Sequence, residues 1–442
     1  MQGLPPEICL IGTSATKGTH QHNEVMIDVI GSDAGAPASL PPMHQHLVQN
    51  ADLLAAPKRL LPQLVDWLGS RADDQQRLVS DDPIALSDAL GPLAPTLRIV
   101  VLASGDPLWF GIGRVLIERL GSERLRFHPA PSSMQLAFAR LGRPWQGAEW
   151  ISLHGRDPSS LAQRLQKRPA SLAVLTDPGR GGVEEVRATL RGSGLEPSYS
   201  LWLCEALGHH DERVQCLEAN QPCPDDLHPL HLVVLLAQPP AASAPEALPL
   251  FGIADGDYLQ HDDRPGLMTK REVRIQLLAD LDLPEQGVLW DLGAGTGSVG
   301  LEALRLRPQL QLMAIERRSG GGALIQANAQ RLGVAPASVL EGDALTLLPQ
   351  LPDPDRVLVG GGGRQRATLL KRVIDRLRPG GVVVIPLATL EALAELRLVL
   401  EQAGLQLQIS QQQTWRGQPL AEGTRLAPMN PVLILKGTNA RP

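Results

Sequence analysis

Apolar residues in this chain come in short runs of about three to six, each broken by Gly, Asp or Pro and followed by a stretch with helical spacing. Runs of that length read as strands buried on both faces, and their alternation with helices reads as α/β sheets carrying ligand loops at the strand ends. In the first half the runs begin at Ile27 in MIDVIG and recur at 98–103, 172–176 and 231–236. In the second half they fall at 288–292, 310–315, 338–340, 356–359, 382–386, 405–410 and 432–435. Helical stretches separate the first five of these, and the last two predict a closing hairpin. The stretch 238–249 is rich in Pro and Ala and reads as a linker. The pattern therefore predicts two regions, 26–237 and 250–437, that fold separately. Residues 1–25 read as a disordered extension: Ile8 to Ile11 could make a short strand, but Thr13 to Asn23 is polar and Met26 stands just before the first convincing strand.

Composition narrows the picture. A length of 442 residues exceeds one ordinary core and suits two domains. The net charge of -6 argues against nucleic acid as a partner. The charge is uneven: from Phe251 onward there are 21 Lys plus Arg against 20 Asp plus Glu, which leaves 20 against 27 before it. The second half's cations are mostly Arg, which fits small anionic ligands. Cys9, Cys204, Cys216 and Cys223 form no C-x-x-C pair, so neither a zinc site nor a disulfide framework is expected, and a cytoplasmic setting is the simplest. The His pairs 20/22, 44/46, 209/210 and 228/231 lack a third ligand at convincing spacing, so no metal is expected. No apolar run reaches membrane-spanning length, and no signal peptide is visible.

The strongest chemical signal lies at 287–300, GVLWDLGAGTGSVG. Gly293, Gly295 and Gly297 let the backbone pass close to a ligand, and a helix starting near Ser298 points free N–H groups at it. Gly295, Gly297 and Gly300 also satisfy G-x-G-x-x-G, so a dinucleotide is the competing ligand. Glu316, about 20 residues on at the end of the next run, could bind ribose hydroxyls in either case. Asp291 before the first glycine and the acidic turn Glu341-Gly-Asp-Ala344 favour S-adenosylmethionine. With Leu267-Met-Thr-Lys-Arg-Glu-Val-Arg274, the glycine run 360–363, Leu377-Arg-Pro-Gly-Gly381 and Arg425-Leu-Ala-Pro-Met-Asn-Pro431, the order resembles the cobalt-precorrin carbon-15 methyltransferase family. That resemblance covers 251–437 and implies that Thr269, Gly293, Ala294, Gly295, Thr296, Gly297, Glu316 and Ala344 bind S-adenosyl-L-methionine. One departure is Arg317-Arg-Ser-Gly-Gly-Gly322, where three glycines predict a frayed helix start, each costing roughly 1 kcal/mol against Ala.

The first half carries Ser104-Gly-Asp-Pro-Leu-Trp-Phe-Gly111, Pro131-Ser-Ser133, Ser152-Leu-His-Gly-Arg156, Leu175-Thr-Asp177 and Cys204-Glu-Ala-Leu-Gly208. In that order they resemble the carbon-5 precorrin methyltransferases, whose tetrapyrrole methylase fold has two α/β subdomains. Gly31-Ser-Asp-Ala-Gly35 and Pro178 depart from the family's usual loops. The resemblance implies cofactor contacts at Gly105, Asp106, Ser132 and Ser133. A chain carrying both halves is similar to the precorrin-6Y C5,15-methyltransferase (decarboxylating) family. The implied fold is a tetrapyrrole methylase domain followed by a class I Rossmann-like methyltransferase domain. The implied reaction methylates carbons 5 and 15 of a tetrapyrrole, a precorrin, and removes carbon dioxide from its ring C acetate, giving precorrin-8X in cobalamin biosynthesis. No catalytic residue is nominated, and a homo-oligomer is left open. Lys270, Arg271, Arg274, Arg364, Arg366 and Arg425 flank the motifs and together suit a substrate bearing several carboxylates.

Overall fold

A computed structural model describes residues 26–33, 37–73, 75–93, 97–153, 159–218, 221–241, 243–261, 264–361, 363–420 and 423–440. The predicted extension 1–25 lies outside them. The chain divides into two compact units between Ser132 and Ser133.

The first unit is a five-stranded parallel sheet of β1 (Ile27–Ser32), β2 (Leu53–Ala56), β3 (Gln76–Val79), β4 (Ile99–Ser104) and β5 (Leu125–His128) in the order β3-β2-β4-β1-β5. The central strands β1 and β4 are buried almost throughout, which is why both read as apolar runs. On one face Leu60, Leu64 and Leu68 pack against Ile30, Leu54 and Val100; on the other, Leu86, Leu90 and Leu116 pack against Val29 and Val101. Each fully buried Leu of this kind contributes roughly 1.5–3 kcal/mol. Helix Pro83–Leu90 starts on a proline and is capped by Asp82, whose Oδ1 accepts the Ile84 N–H at 2.8 Å. At the end of β1, a Cβ on Gly31 would fall 2.6 Å from the Gly105 carbonyl, so only glycine lets this strand meet the Gly105-Asp-Pro turn.

The second unit holds two sheets and a hairpin. In the first sheet, β6 (Glu149–Ser152), β7 (Ser171–Leu175), β8 (Tyr199–Glu205), β9 (Arg213–Leu217) and β10 (His231–Ala237) run in the order β6-β7-β10-β8-β9. The β6–β7 pair is parallel and the other pairs are antiparallel. In the second, β11 (Gln286–Leu292), β12 (Gln309–Glu316), β13 (Ser338–Glu341), β14 (Arg356–Val359) and β15 (Val382–Leu387) pair in parallel. β16 (Gln406–Gln412) and β19 (Val432–Thr438) extend it antiparallel, giving the order β13-β12-β11-β14-β15-β19-β16. The order reverses between β11 and β14, so a crevice opens beyond the carboxyl ends of these strands. Apolar cores lie on the two faces of this sheet, one built on Leu289, Leu312 and Val384, the other on Trp290, Val357 and Val383.

The closing pair is more elaborate than the sequence predicts. β16 and β19 do pair antiparallel, but β17 (Trp415–Leu420) and β18 (Gly423–Pro428) come between them as a separate two-stranded sheet. Gly417 and Pro419 break the apolar signal there, and among the described residues the two strands pair only with each other.

The Pro/Ala-rich stretch is tied down. Arg305 donates to the carbonyls of Pro245, Leu248, Pro249 and Leu250 at 3.1–3.2 Å, and Arg331 to that of Ala241 at 2.7 Å. Residues on its two sides also meet through bare backbone. The Gly256 N–H donates to Gly194 O at 2.8 Å, and the Ser198 hydroxyl to Gly256 O at 2.8 Å. A Cβ on Gly192 would lie 2.7 Å from Gly417 O, and one on Gly266 would collide with Gln166 O. Charges cross as well. Arg168 donates to Asp255 O, and Arg416 donates to Ser193 O at 2.8 Å while pairing with Glu272 at 2.7 Å and Asp255 at 3.3 Å.

Candidate active site

β11 ends in Asp291-Leu292, and the chain then turns through Gly293, Gly295 and Gly297, all at positive φ (+78°, +59° and +78°), into helix Ser298–Leu306. The N–H groups of Gly293 and Ala294 anchor the turn on Ile315 O at 2.8 and 3.0 Å. Glu316, at the end of β12, ties three loops together. Its Oε2 accepts the Gly295 N–H at 2.7 Å, its Oε1 accepts the Arg318 N–H at 2.9 Å, and its carbonyl accepts the Gly342 N–H at 2.9 Å. A carboxylate offers about four acceptor sites, so capacity for ligand hydroxyls remains.

These loops wall a cavity of about 1780 Å³. Thr269, Gly293, Ala294, Gly295, Thr296, Glu316 and Ala344 all line it, as do Gly342 and Asp343 of the acidic turn. Ligand pockets usually hold about 300–1,000 Å³, so this one has room for a cofactor and a large second molecule together. Gly297 is not among the lining residues: its missing Cβ would meet Ile325 at 3.0 Å and Leu301 at 3.1 Å, so it serves the turn and the packing beneath. At Gly295 the corresponding direction is open, with Leu267 O the nearest protein atom at 4.0 Å.

Asp291 does not line the cavity. It is buried beneath the turn, where its Oδ2 accepts the Gly300 N–H at 3.1 Å. Burial first, and then the negative charge of Glu316, push its carboxyl up to about 7. Gly300 packs tightly, since a Cβ there would stand 2.8 Å from both Asp291 Oδ2 and Leu312. Its glycine is explained by helix–strand contact.

The three glycines after Glu316 do not fray the helix. Helix Gly321–Leu332 runs for 12 residues from Gly320, which has φ +76°. A Cβ on Gly321 would collide with Glu316 Cγ, so glycine is what lets the helix start against the carboxylate's stem. Among the described residues, two buried polar atoms at the cavity have no hydrogen-bond partner, Thr296 Oγ1 and His261 Nε2. A buried unpaired polar group costs roughly 1–3 kcal/mol, so such atoms mark where a ligand's polar groups belong. His261 carries no motif signal and escaped the sequence reading.

The flanking cations sort differently from one another. Arg274 is fully buried, pairing with Asp255 at 2.8 Å and Glu302 at 2.9 Å, so it is neither a solvated charge nor a ligand contact. Arg366 pairs with Glu395 at 2.6 Å. Lys270 and Arg364 line the cavity.

In the first unit Gly105 has φ +63° and follows β4 directly. Asp106 turns back on its own loop, its Oδ1 accepting the Leu108 N–H at 2.8 Å. Arg59 donates to the Ser104 hydroxyl beside it. Ser132 is buried at the end of this unit, and Ser133 opens helix Ser133–Arg140 of the other. Among the described residues, His209, His210 and Asp211 bring potential ligand atoms within 4.8 Å, but they are consecutive residues on a mostly exposed turn.

Comparison with known proteins divides the chain elsewhere than between the compact units. The family model for tetrapyrrole (corrin/porphyrin) methylases matches residues 26–219, and that for the precorrin methyltransferase domain matches residues 257–439. A precorrin-6Y C(5,15)-methyltransferase [decarboxylating] from Sinorhizobium sp is 37% identical over 286 residues, covering 65% of this chain and 67% of the relative. A second protein of that name, from Mycobacterium tuberculosis, is 28% identical over 92% of this chain and 98% of its own length. A probable cobalt-precorrin-6B C(15)-methyltransferase (decarboxylating) from Pyrobaculum aerophilum is 37% identical over 44% of this chain and 97% of the relative.

Proposed function

The chain belongs to the precorrin-6Y C5,15-methyltransferase (decarboxylating) family, and from that premise we propose which residues carry its chemistry. It is a methyltransferase of cobalamin biosynthesis that acts on precorrin-6B or its cobalt form. It methylates carbons 5 and 15, removes carbon dioxide from the ring C acetate, and yields precorrin-8X.

The cavity of the second unit is the carbon-15 site. The observation that carries this reading is the open face at Gly295 beside the unpaired Thr296 hydroxyl, backed by a Glu316 carboxylate with acceptor capacity to spare. Those features fit S-adenosyl-L-methionine. Gly293, Ala294, Gly295 and Thr296 would hold its amino acid end, Glu316 its ribose, and Ala344 with Gly342 its adenine. When bound, the cofactor supplies an electrophilic methyl group. Thr269 and the glycine turn fix where a macrocycle carbon must sit to meet it, and alignment of that kind supplies much of the rate. Gly297 supports the turn from beneath. The carbon-5 site uses Gly105, Asp106, Ser132 and Ser133 in the same service.

Among the described residues no helix is long and apolar enough to cross a membrane. We assign the enzyme to the cytoplasm, with a tetrapyrrole as its partner and no nucleic acid. The test is incubation with precorrin-6B and S-adenosyl-L-methionine, reading product mass: two methyl additions and one loss of carbon dioxide support the assignment, and unchanged substrate overturns it. A melting-temperature rise with S-adenosylhomocysteine and none with NAD separates it from a dinucleotide enzyme.

A further inference from the structure

Lys270 stands at the head of helix Arg271–Asp280 and lines the cavity. Its Nζ donates one hydrogen bond, to Gly266 O at 3.0 Å, and forms no ion pair among the described residues. An ammonium has three donors, so two are left for a ligand. The carboxylate facing it, Asp255, is engaged elsewhere. That side chain accepts from the Arg271 N–H at 2.9 Å and pairs with Arg274 at 2.8 Å and Arg416 at 3.3 Å. Glu272, two residues on, holds Arg416 at 2.7 Å. Arg168 arrives from the other side of the Pro/Ala-rich stretch and donates to Asp255 O. Lys270 is thus a half-buried cation with no counter-charge of its own, facing a cavity large enough for a macrocycle.

We propose that Lys270 is the proton donor for decarboxylation, meeting the ring C acetate carboxylate and then protonating the carbon that loses it. The proposal rests on the carbon-15 assignment above. The carbon–carboxyl bond breaks, its electron pair passes to the side-chain carbon and the conjugated ring, and carbon dioxide leaves. The Lys270 ammonium gives that carbon a proton, a methyl group results, and the neutral amine regains its proton from solvent. The surroundings suit the task. Burial first, and then the Arg168, Arg416 and Arg274 charges against the single Asp255, pull the ammonium down to about 8, where proton transfer near neutral pH is efficient. Arg364, also at the cavity, suits holding a carboxylate through its planar fork. His261 sits by Gly321 at the Glu316 end, where the cofactor is placed.

The test uses the full chain with precorrin-6B and S-adenosyl-L-methionine in single turnover. Lys270→Arg keeps the cation and cannot donate; Lys270→Gln keeps a donor for Gly266 O without the charge. Both should bind S-adenosylhomocysteine as the parent does. Lys270→Arg should bind substrate within about threefold of the parent yet lose carbon dioxide at least about a hundredfold more slowly. In the parent, decarboxylation should fall tenfold per pH unit above about 8, and the residual rate in Lys270→Arg should lack that limb. If Lys270→Gln fails to fold, Lys270→Arg and the parent's pH profile still decide. Decarboxylation at the parental rate in either variant would overturn the assignment, as would equal losses of binding and decarboxylation in Lys270→Arg, which mark an anchor. A parent enzyme that leaves the substrate unchanged would overturn the functional reading itself.

Discussion

Single carboxylates in this molecule differ because of what surrounds them. Glu316 accepts two backbone N–H groups and faces the cavity, while Asp291, one strand away, accepts one and is sealed from water. Charged hydrogen bonds contribute about 1.5–3 kcal/mol each, so Glu316→Ala should weaken S-adenosylhomocysteine binding at least tenfold by calorimetry. Unchanged affinity would remove Glu316 from the site. Asp291 makes a different prediction. Its carboxyl sits at about 7 in the fold against an ordinary 3.8, so folding favours the protonated form. The stability this gives is complete below the unfolded value and is lost as pH rises through about 7. Asp291→Asn cannot ionise. Between pH 5 and 8 its stability relative to the parent should therefore gain roughly 2–3 kcal/mol, read by urea unfolding at each pH. A gap that stays flat across that range would show that Asp291 is ionised in the fold. At this scale sequence spacing found Glu316, because an acid at the end of the second strand has one geometric place to go. It could not find the surroundings of Lys270: Arg168 and Arg416 lie more than a hundred residues away in either direction.

Elements were legible where burial is two-sided. β1, β4, β11 and β12 appear as apolar runs and fold within a residue or two of where the pattern puts them. The β17–β18 hairpin was illegible, because neither strand joins a larger sheet and their residues alternate weakly. Glycine was the other source of error. Gly320 to Gly322 looked like a weak helix start by propensity, yet contact with Glu316 requires Gly321. The same conflict yields a prediction at Gly192 in helix Val183–Ser193. Propensity alone says Gly192→Ala should stabilise by up to about 1 kcal/mol. The Gly417 carbonyl 2.7 Å from the new Cβ says the reverse, and overpacking of this kind costs about 1–3 kcal/mol. A lower urea midpoint for Gly192→Ala is expected; a higher one would mean that helix and hairpin part easily.

For the whole molecule the assignment of two methylations to two sites predicts separable products. Asp106→Ala opens the turn closed by its bond to the Leu108 N–H and should yield a product with one methyl added and carbon dioxide lost. Gly295→Val puts a branched side chain into the open face of the cavity, at a φ of +59° that such residues avoid, and its product should keep the carboxylate. Mass spectrometry distinguishes these outcomes, and loss of all three events in either variant would show the sites to be coupled. The glycine seam bears on a different operation, grafting. A free-standing carbon-15 enzyme spliced in after the Pro/Ala-rich stretch would have to offer bare backbone wherever this chain has Gly256 and Gly266, because the facing carbonyls of Gly194 and Gln166 leave no space for a methyl group. Donor sequences could be screened on those two letters alone: a graft carrying side chains there would be wedged open before Arg168 could reach its acceptor.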